Sequence, residues 1–210
     1  MTQQKHTVKQ GEYLAQIAAK CGLSNYKAIW DHPENAELKK KRGNPNVLYP
    51  GDVVFIPEKV LKQETITTDQ RHHFKVSGHV NKLRLLIKDA EQHPLANTPC
   101  QLSIEFKTYQ LTTDADGKIE KTISSTATRG QLVIQDRVIP LLIGHLDPID
   151  EPSGWQARLN NLGYNAGSPD SADELQIRSA VEEFQCDNGL QVDGECGPLT
   201  QKKLKEAHGC

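Results

Sequence analysis

The residues able to do chemistry fall into a few groups. Cys186, Cys196 and Cys210 lie near the C-terminus with His208, and their thiol and imidazole groups are zinc-ligand types. No C-x-x-C knuckle joins them, and a Cys186–Cys196 disulfide formed after export stands as the alternative to free thiols. The chain has five cysteines, an odd number at wide spacing, which is not a disulfide framework. Cys21 and Cys100 read as small core residues. His72 and His73 follow Asp69 in a polar stretch with no scaffold to fix three ligands, and read as solvated. Asp114 and Asp116 precede Gly117, but the twelfth residue counted from Asp114 is Ser125 and not a bidentate Glu, so a turn is expected. Acidic residues are plentiful, yet none forms a recognisable carboxylate pair or His/Asp zinc set. No catalytic residue, metal or cofactor is expected.

Composition bounds what can position such groups. The 210 residues are 36% hydrophobic and 5% aromatic, too polar for one large core and suited to several small modules. A net charge of −2 argues against a general nucleic-acid grip, and the basic run Lys39 to Arg42 reads as a solvated helix face. No apolar run is long enough to span a bilayer, so no membrane insertion is expected. The opening MTQQKHTVKQ lacks an apolar stretch and a small-residue cleavage site. The expectation is a protein made in the cytoplasm without a signal peptide.

Residues 5–58 read as strand, helix, helix, strand. His6 to Lys9 has strand character, Gly11-Glu12 turns, and Leu14, Ile17, Ala18 and Cys21 fall at helical spacing before Gly22. Ile29 and Trp30 anchor a second helix, which Pro33 to Arg42 extends or interrupts. Asn44-Pro45 and Pro50-Gly51 are turns, and Val53 to Ile56 is a buried strand closed by Pro57. The patterns V-x-x-G-x-x-L-x-x-I-A and N-P-x-x-L-x-P-G-x-x-x-x-I-P resemble a LysM domain. That resemblance implies binding of N-acetylglucosamine-containing glycan, in bacteria chiefly peptidoglycan, through two loops. By position these are Gly11, Glu12, Tyr13 and Leu14, and Asn46, Val47, Leu48 and Tyr49. Glu12-Tyr13 stands where the family usually has Asp-Thr.

A polar linker, residues 59–73, leads to residues 74–146, where short alternating segments separated by turns read as an antiparallel sandwich. The segments Leu95 to Leu102 and L-T-T-D-A-D-G-K-I resemble the transthyretin-like sandwich, an architectural likeness that implies a spacer or protein-contact module.

Residues 147–210 read as three helices. Trp155, Leu159 and Leu162 share a face ended by Gly163; Ala172 to Gln185 forms the second helix; Pro198 to Ala207 forms the third, with Leu199 and Leu204 as apolar positions. The order F-Q-x-x-x-G-L-x-V-D-G-x-x-G-x-x-T-x-x-x-L, with L-x-x-L-G-Y and A-V-x-x-F-Q before it, resembles the peptidoglycan-binding-like module of cell-wall enzymes. A first D-G-x-x-G-x-x-T turn, frequent in that family, is replaced here by SPDSADELQ. Candidate wall contacts at the matched turn are Asn188, Gln191, Asp193 and Thr200, each also a residue type that serves turns and caps. The tail His208-Gly209-Cys210 is similar to an element of L,D-transpeptidases, but the surrounding domain is missing.

The fold class expected is therefore multidomain α+β: LysM (βααβ), a small antiparallel transthyretin-like β-sandwich, and a C-terminal three-helix peptidoglycan-binding-like domain. The function expected is non-enzymatic peptidoglycan binding, with linkage of two weak binders raising avidity. The stretches Asn44 to Pro57 and Ile143 to Tyr164 resemble those of LysM proteins associated with bacterial type VI secretion, which implies a secretion spike protein or a toxic effector as further partner, and delivery to the periplasm or a target cell. An effector-binding chaperone with its wall modules turned to protein contacts, and a cell-wall hydrolase, are the alternatives.

Overall fold

The computed structural model describes residues 4–59, 65, 68–71, 73, 80–168 and 173–210. His72, Phe74 and the 169–172 part of the SPDSADELQ segment lie outside the described residues, and His73 is exposed. The chain divides into two compact units, one of Met1–Asn46 and Pro50–Gly144, the other of Val47–Tyr49 and His145–Cys210.

The first unit begins with β1 (Gln4–Thr7), α1 (Leu14–Lys20) and the short α2 (Lys27–Trp30). A single 3-10 turn, Pro33–Asn35, then leads into α3 (Ala36–Arg42) and β2 (Val53–Ile56). Strands β1 and β2 pair antiparallel with His6 opposite Val54. The ladder continues through Val8 N–H to Asp52 O and Gly51 N–H to Val8 O. The 3-10 turn exists because Pro33 cannot continue the helix before it, and Asn35 turns that interruption to use. Its amide donates to the carbonyls of Ile29 and Phe55 and accepts from Phe55 N–H, all at 2.8 Å, so it completes one edge of β2 as a strand would. Arg42 departs from the solvated basic run: it is buried and grips Asp52 with Nε and Nη2 at 2.7 and 2.9 Å. Lys39, Lys40 and Lys41 do face solvent. A bidentate guanidinium–carboxylate pair gives each buried ion its counter-charge, and removing one partner of such a pair costs about 3–5 kcal/mol.

The same unit contains two further antiparallel sheets. One pairs β3 (Asn81–Leu86) with β6 (Lys118–Ile123). The other has the order β5-β4-β7-β8, from β4 (Pro99–Ile104), β5 (Lys107–Thr112), β7 (Arg129–Ile134) and β8 (Arg137–Leu142). The inward positions Cys100, Leu102 and Ile104 of β4, Ile119 and Ile123 of β6, and Leu132 and Ile134 of β7 form one core with Ala127. Alternate residues point to the two faces of a strand, so a strict period of two is what puts them all inside. Strand β4 ends at Ile104, and Phe106 lies beyond it, fully exposed at the β4–β5 hairpin. Asp114 caps the turn before β6, accepting from the N–H groups of Asp116 and Lys118, while Lys118 pairs with Asp116.

In the second unit, α4 (Pro152–Asn161), α5 (Glu174–Asp187) and α6 (Pro198–His208) surround a core of Leu159, Tyr164, Ala166, Ala180, Val181, Phe184 and Leu204. Tyr164 meets Phe184 edge to face, 5.4 Å between centroids, and donates its hydroxyl to Asp187. Prolines open α4 and α6, where no intrahelical N–H is needed. Leu199 corrects its expected role: it stands in the first turn of α6 and is 77% exposed; Leu175 at the start of α5 is 81% exposed, while Leu204 is fully buried. Arg158 is buried and spends its donors on three carbonyls, those of Asp147, Gly154 and Cys210. The junction before α4 passes so close to the helix that a Cβ on Gly154 would lie 1.8 Å from the Pro148 carbonyl oxygen. Backbone cannot yield that much. Gly154→Ala is expected to destabilise the C-terminal module by about 3 kcal/mol, read as a lowered urea midpoint of its unfolding transition.

Candidate functional site

The first candidate loop, Gly11 to Leu14, connects β1 to α1, and all four residues are buried. Glu12 is its centre. Its carboxylate accepts from Lys20 Nζ at 2.8 Å and from Lys9 N–H at 3.1 Å, and meets His6 Nε2 at 2.7 Å. The longer side chain, where the family usually has Asp, is what reaches from the loop to both β1 and the end of α1. Burial pushes the Glu12 carboxyl up, but the hydrogen bonds from Lys20, His6 and Lys9 outweigh it and hold the group down at about 2. Leu14 N–H donates to Pro45 O, tying the loop to the Asn44-Pro45 turn.

Tyr13 points away from that hub. Its hydroxyl proton is shared between the carbonyl oxygens of Ser125 (2.9 Å) and Ala127 (2.8 Å), in the connection between β6 and β7, and the Asn81 side chain hydrogen-bonds it as well. Burial pushes the phenol up to about 12. Its ring lies against Gly144, where a Cβ would come within 2.4 Å of Cδ1. So the side chain expected to face a sugar is 2% exposed and packs on the two-sheet part of the same unit. Of the second candidate loop, Asn46 is exposed with its N–H held by Asn44 Oδ1, Val47 and Leu48 are buried, and Tyr49 is half-buried.

The turn between α5 and α6 is built on the amide of Gln185, which is buried. Its oxygen accepts from the N–H groups of Asp193 and Gly194, both at 3.0 Å. Its nitrogen lies 2.8 Å from Asp193 Oδ1 and 3.0 Å from both Glu195 O and Thr200 Oγ1. Gly194 adopts φ +73, and a Cβ there would strike Arg178 and Glu182. Asp193 and Thr200, expected to contact the wall, therefore hold the turn; Asn188 likewise donates to Phe184 O at the end of α5. Gln191 is exposed, next to the exposed Val192.

The cysteines are free thiols, and the Cys186–Cys196 disulfide is not formed. Cys186 sits on the exposed face of α5, whereas Cys196 packs against the module core, where burial pushes its thiol up to about 12. Cys210 Sγ lies 3.2 Å from His208 Nδ1, and Asn161 Nδ2 lies 3.1 Å from His208 Nε2. A Cys, His and Asn in line is a nucleophile arrangement in outline, and its use needs a thiolate beside an imidazolium. The electrostatics run the other way. Burial, together with the Arg158 guanidinium, lowers His208 to about 4, and burial raises the Cys210 thiol. The pair is neutral at pH 7. Among the described residues, no group of three or more His, Cys, Asp and Glu is placed to hold a metal ion. No helix among them is long and apolar enough to cross a membrane.

Two outcomes follow. The folded Glu12 pKa lies below its ordinary value of 4.5, so the unfolded chain binds the extra proton between pH 4.5 and about 2. The stability Glu12 contributes is full above that window and is lost as pH falls through it. Denaturation midpoints should drop on acidification more steeply for wild type than for Glu12→Gln. At pH 7, iodoacetamide should alkylate Cys186 faster than Cys210, as mapped by peptide mass spectrometry.

Comparison with known proteins bears on the first loop and on the α5–α6 turn. Family models match residues 6–31 as a LysM domain and residues 155–204 as a putative peptidoglycan binding domain. Over 55 residues the chain is 40% identical to the N-acetylmuramoyl-L-alanine amidase CwlM of Mycobacterium tuberculosis, a stretch that covers 26% of this chain and 14% of the amidase. The chain thus spans about a seventh of that relative's length. No solved structure matches. The chain carries a LysM domain and a putative peptidoglycan-binding domain, and the two support peptidoglycan as its partner.

Proposed function

We propose that this protein is a non-enzymatic peptidoglycan-binding protein that serves as an accessory, adaptor or co-effector of type VI secretion. The observation that carries the reading is the presence of two domains of wall-binding kind on one chain. Two weak sites on one chain gain avidity on a polymeric wall. Gly11 to Leu14 and Asn46 to Tyr49 are the glycan-binding loops, and the α5–α6 turn with its exposed Gln191 is the second wall-binding surface. The two-sheet part, in this reading a transthyretin-like sandwich, is a spacer and protein-contact module. The secretion role is supported by the likeness of residues 44–57 and 143–164 to LysM proteins of that system; a spike protein or a toxic effector is the partner, and the protein acts in the periplasm or a target cell. The neutral Cys210–His208 pair supports a binding role over a thiol-dependent enzyme.

One observation favours a second reading, an adaptor whose LysM loop has been turned to protein contacts: Tyr13 is spent on Ser125 and Ala127. The test is sedimentation of the full chain with purified insoluble sacculi. Wild type should pellet saturably, and Asn46→Ala with Gln191→Ala should weaken pelleting by roughly tenfold without changing the unfolding midpoint, since each exposed site contributes on the order of one decade to avidity. Protein left in the supernatant at every sacculus concentration contradicts wall binding.

A further inference from the structure

Tyr13 belongs to the proposed glycan loop, yet its covering comes from the two-sheet part of the same compact unit. The contact converges on one side chain. The hydroxyl bonds two backbone carbonyls of the β6–β7 connection, and the ring fills the space that the missing side chain of Gly144 leaves open. Gly11 shares that contact, since a Cβ on Gly144 would also come within 2.9 Å of its carbonyl oxygen. Ser125 is half-buried beside the exposed Ser124 and Thr126. Water can therefore take over the Ser125 carbonyl, and the phenol, once the ring withdraws, so undocking leaves no orphaned donor there. The Glu12 hub that shapes the loop uses only His6, Lys9 and Lys20, all from the LysM part, so the loop keeps its form when Tyr13 leaves.

We propose that this contact is an autoinhibitory latch: N-acetylglucosamine-containing glycan and the two-sheet part compete for the Gly11–Leu14 loop, and Tyr13 holds it closed until glycan or a partner displaces it. The inference rests on the glycan-binding reading of that loop. It gives the departure from the usual Thr at position 13 a purpose, because a threonine hydroxyl is too short to reach across a ring's length to the same carbonyls. A ligand shifts such an equilibrium only by its differential affinity for the open form, so loosening the latch raises apparent affinity.

The test is isothermal titration of the full chain with the N-acetylglucosamine hexamer. Tyr13→Phe keeps the ring and removes the hydroxyl's hydrogen bonds to Ser125, Ala127 and Asn81, and is expected to bind roughly fivefold more tightly than wild type. In wild type, adding hexamer should raise amide hydrogen exchange at Thr126 and Ala127. Gly144→Ala crowds the ring while leaving Tyr13 intact, and should give the same gain if Tyr13→Phe proves poorly folded by thermal melting. Equal affinities for wild type and both variants, including no binding by any, overturn the latch, as does unchanged exchange at Thr126 and Ala127 in a wild type saturated with hexamer. Sacculus pelleting separates the two claims: a chain that pellets while neither variant gains hexamer affinity loses the latch and keeps the wall-binding reading.

Discussion

Everything in the C-terminal module depends on the buried amide of Gln185 finding its partners inside the fold. A side-chain amide has two N–H donors and an oxygen with two lone pairs, and leaving them unmet in the interior costs more than any single bond returns. Asp193, Gly194, Glu195 and Thr200 meet them, and in doing so they fix the path from α5 to α6. The spacing F-Q-x-x-x-G-L-x-V-D-G-x-x-G-x-x-T is the imprint of that network: the glutamine, the aspartate, the glycine and the threonine are one object. What remains for a ligand is the surface the turn presents, where Gln191 and Val192 stand exposed.

The same device recurs along the chain, and size explains it. Small modules bury too little apolar surface to fix their loops by packing alone. Each loop is therefore pinned by a buried or half-buried polar group bonded to backbone, to an opposite charge or to both. Asn35 completes β2, Arg42 with Asp52 joins α3 to the strand, Glu12 shapes the first loop, and Arg158 gathers the carbonyls of Asp147, Gly154 and Cys210. Interior arginine, glutamine and glutamate look like site residues in a sequence. In this fold they are the pins, and they shape the surfaces proposed to meet peptidoglycan. The Ile143 to Tyr164 stretch shows the point most clearly: Gly154 and Arg158 are accounted for by the tight junction at Pro148.

Periodicity made the elements legible. Strand β4 alternates strictly and the others in part, α4 and α6 start on proline, and the two domain matches fall within the spans where the motifs were read. Three things were out of reach. Arg42 sits at the end of a lysine run, and only the approach of Asp52, ten residues on, makes it an interior residue. Tyr13 bonds carbonyls more than a hundred residues away, which no local pattern encodes. The Cys186–Cys196 pairing failed on direction: the two thiols are near in sequence, but one faces solvent from α5 and the other faces the core. A signal for the pins did exist, since a Gln after the core Phe184, followed by Asp-Gly and Thr at fixed offsets, is a pattern of hydrogen-bond needs and not only of turn propensity.

If the chain binds peptidoglycan through surfaces that these internal networks shape but do not themselves supply, a bound fragment covers the turn surface and leaves the networks in place. Hydrogen–deuterium exchange of the full chain, with and without solubilised peptidoglycan fragments, tests it most directly. New protection is expected in the α5–α6 turn around Gln191 and Val192, with the amides of Asp193 and Gly194, already bonded to Gln185, little changed. Exchange that is identical with and without fragments along the whole turn would contradict it.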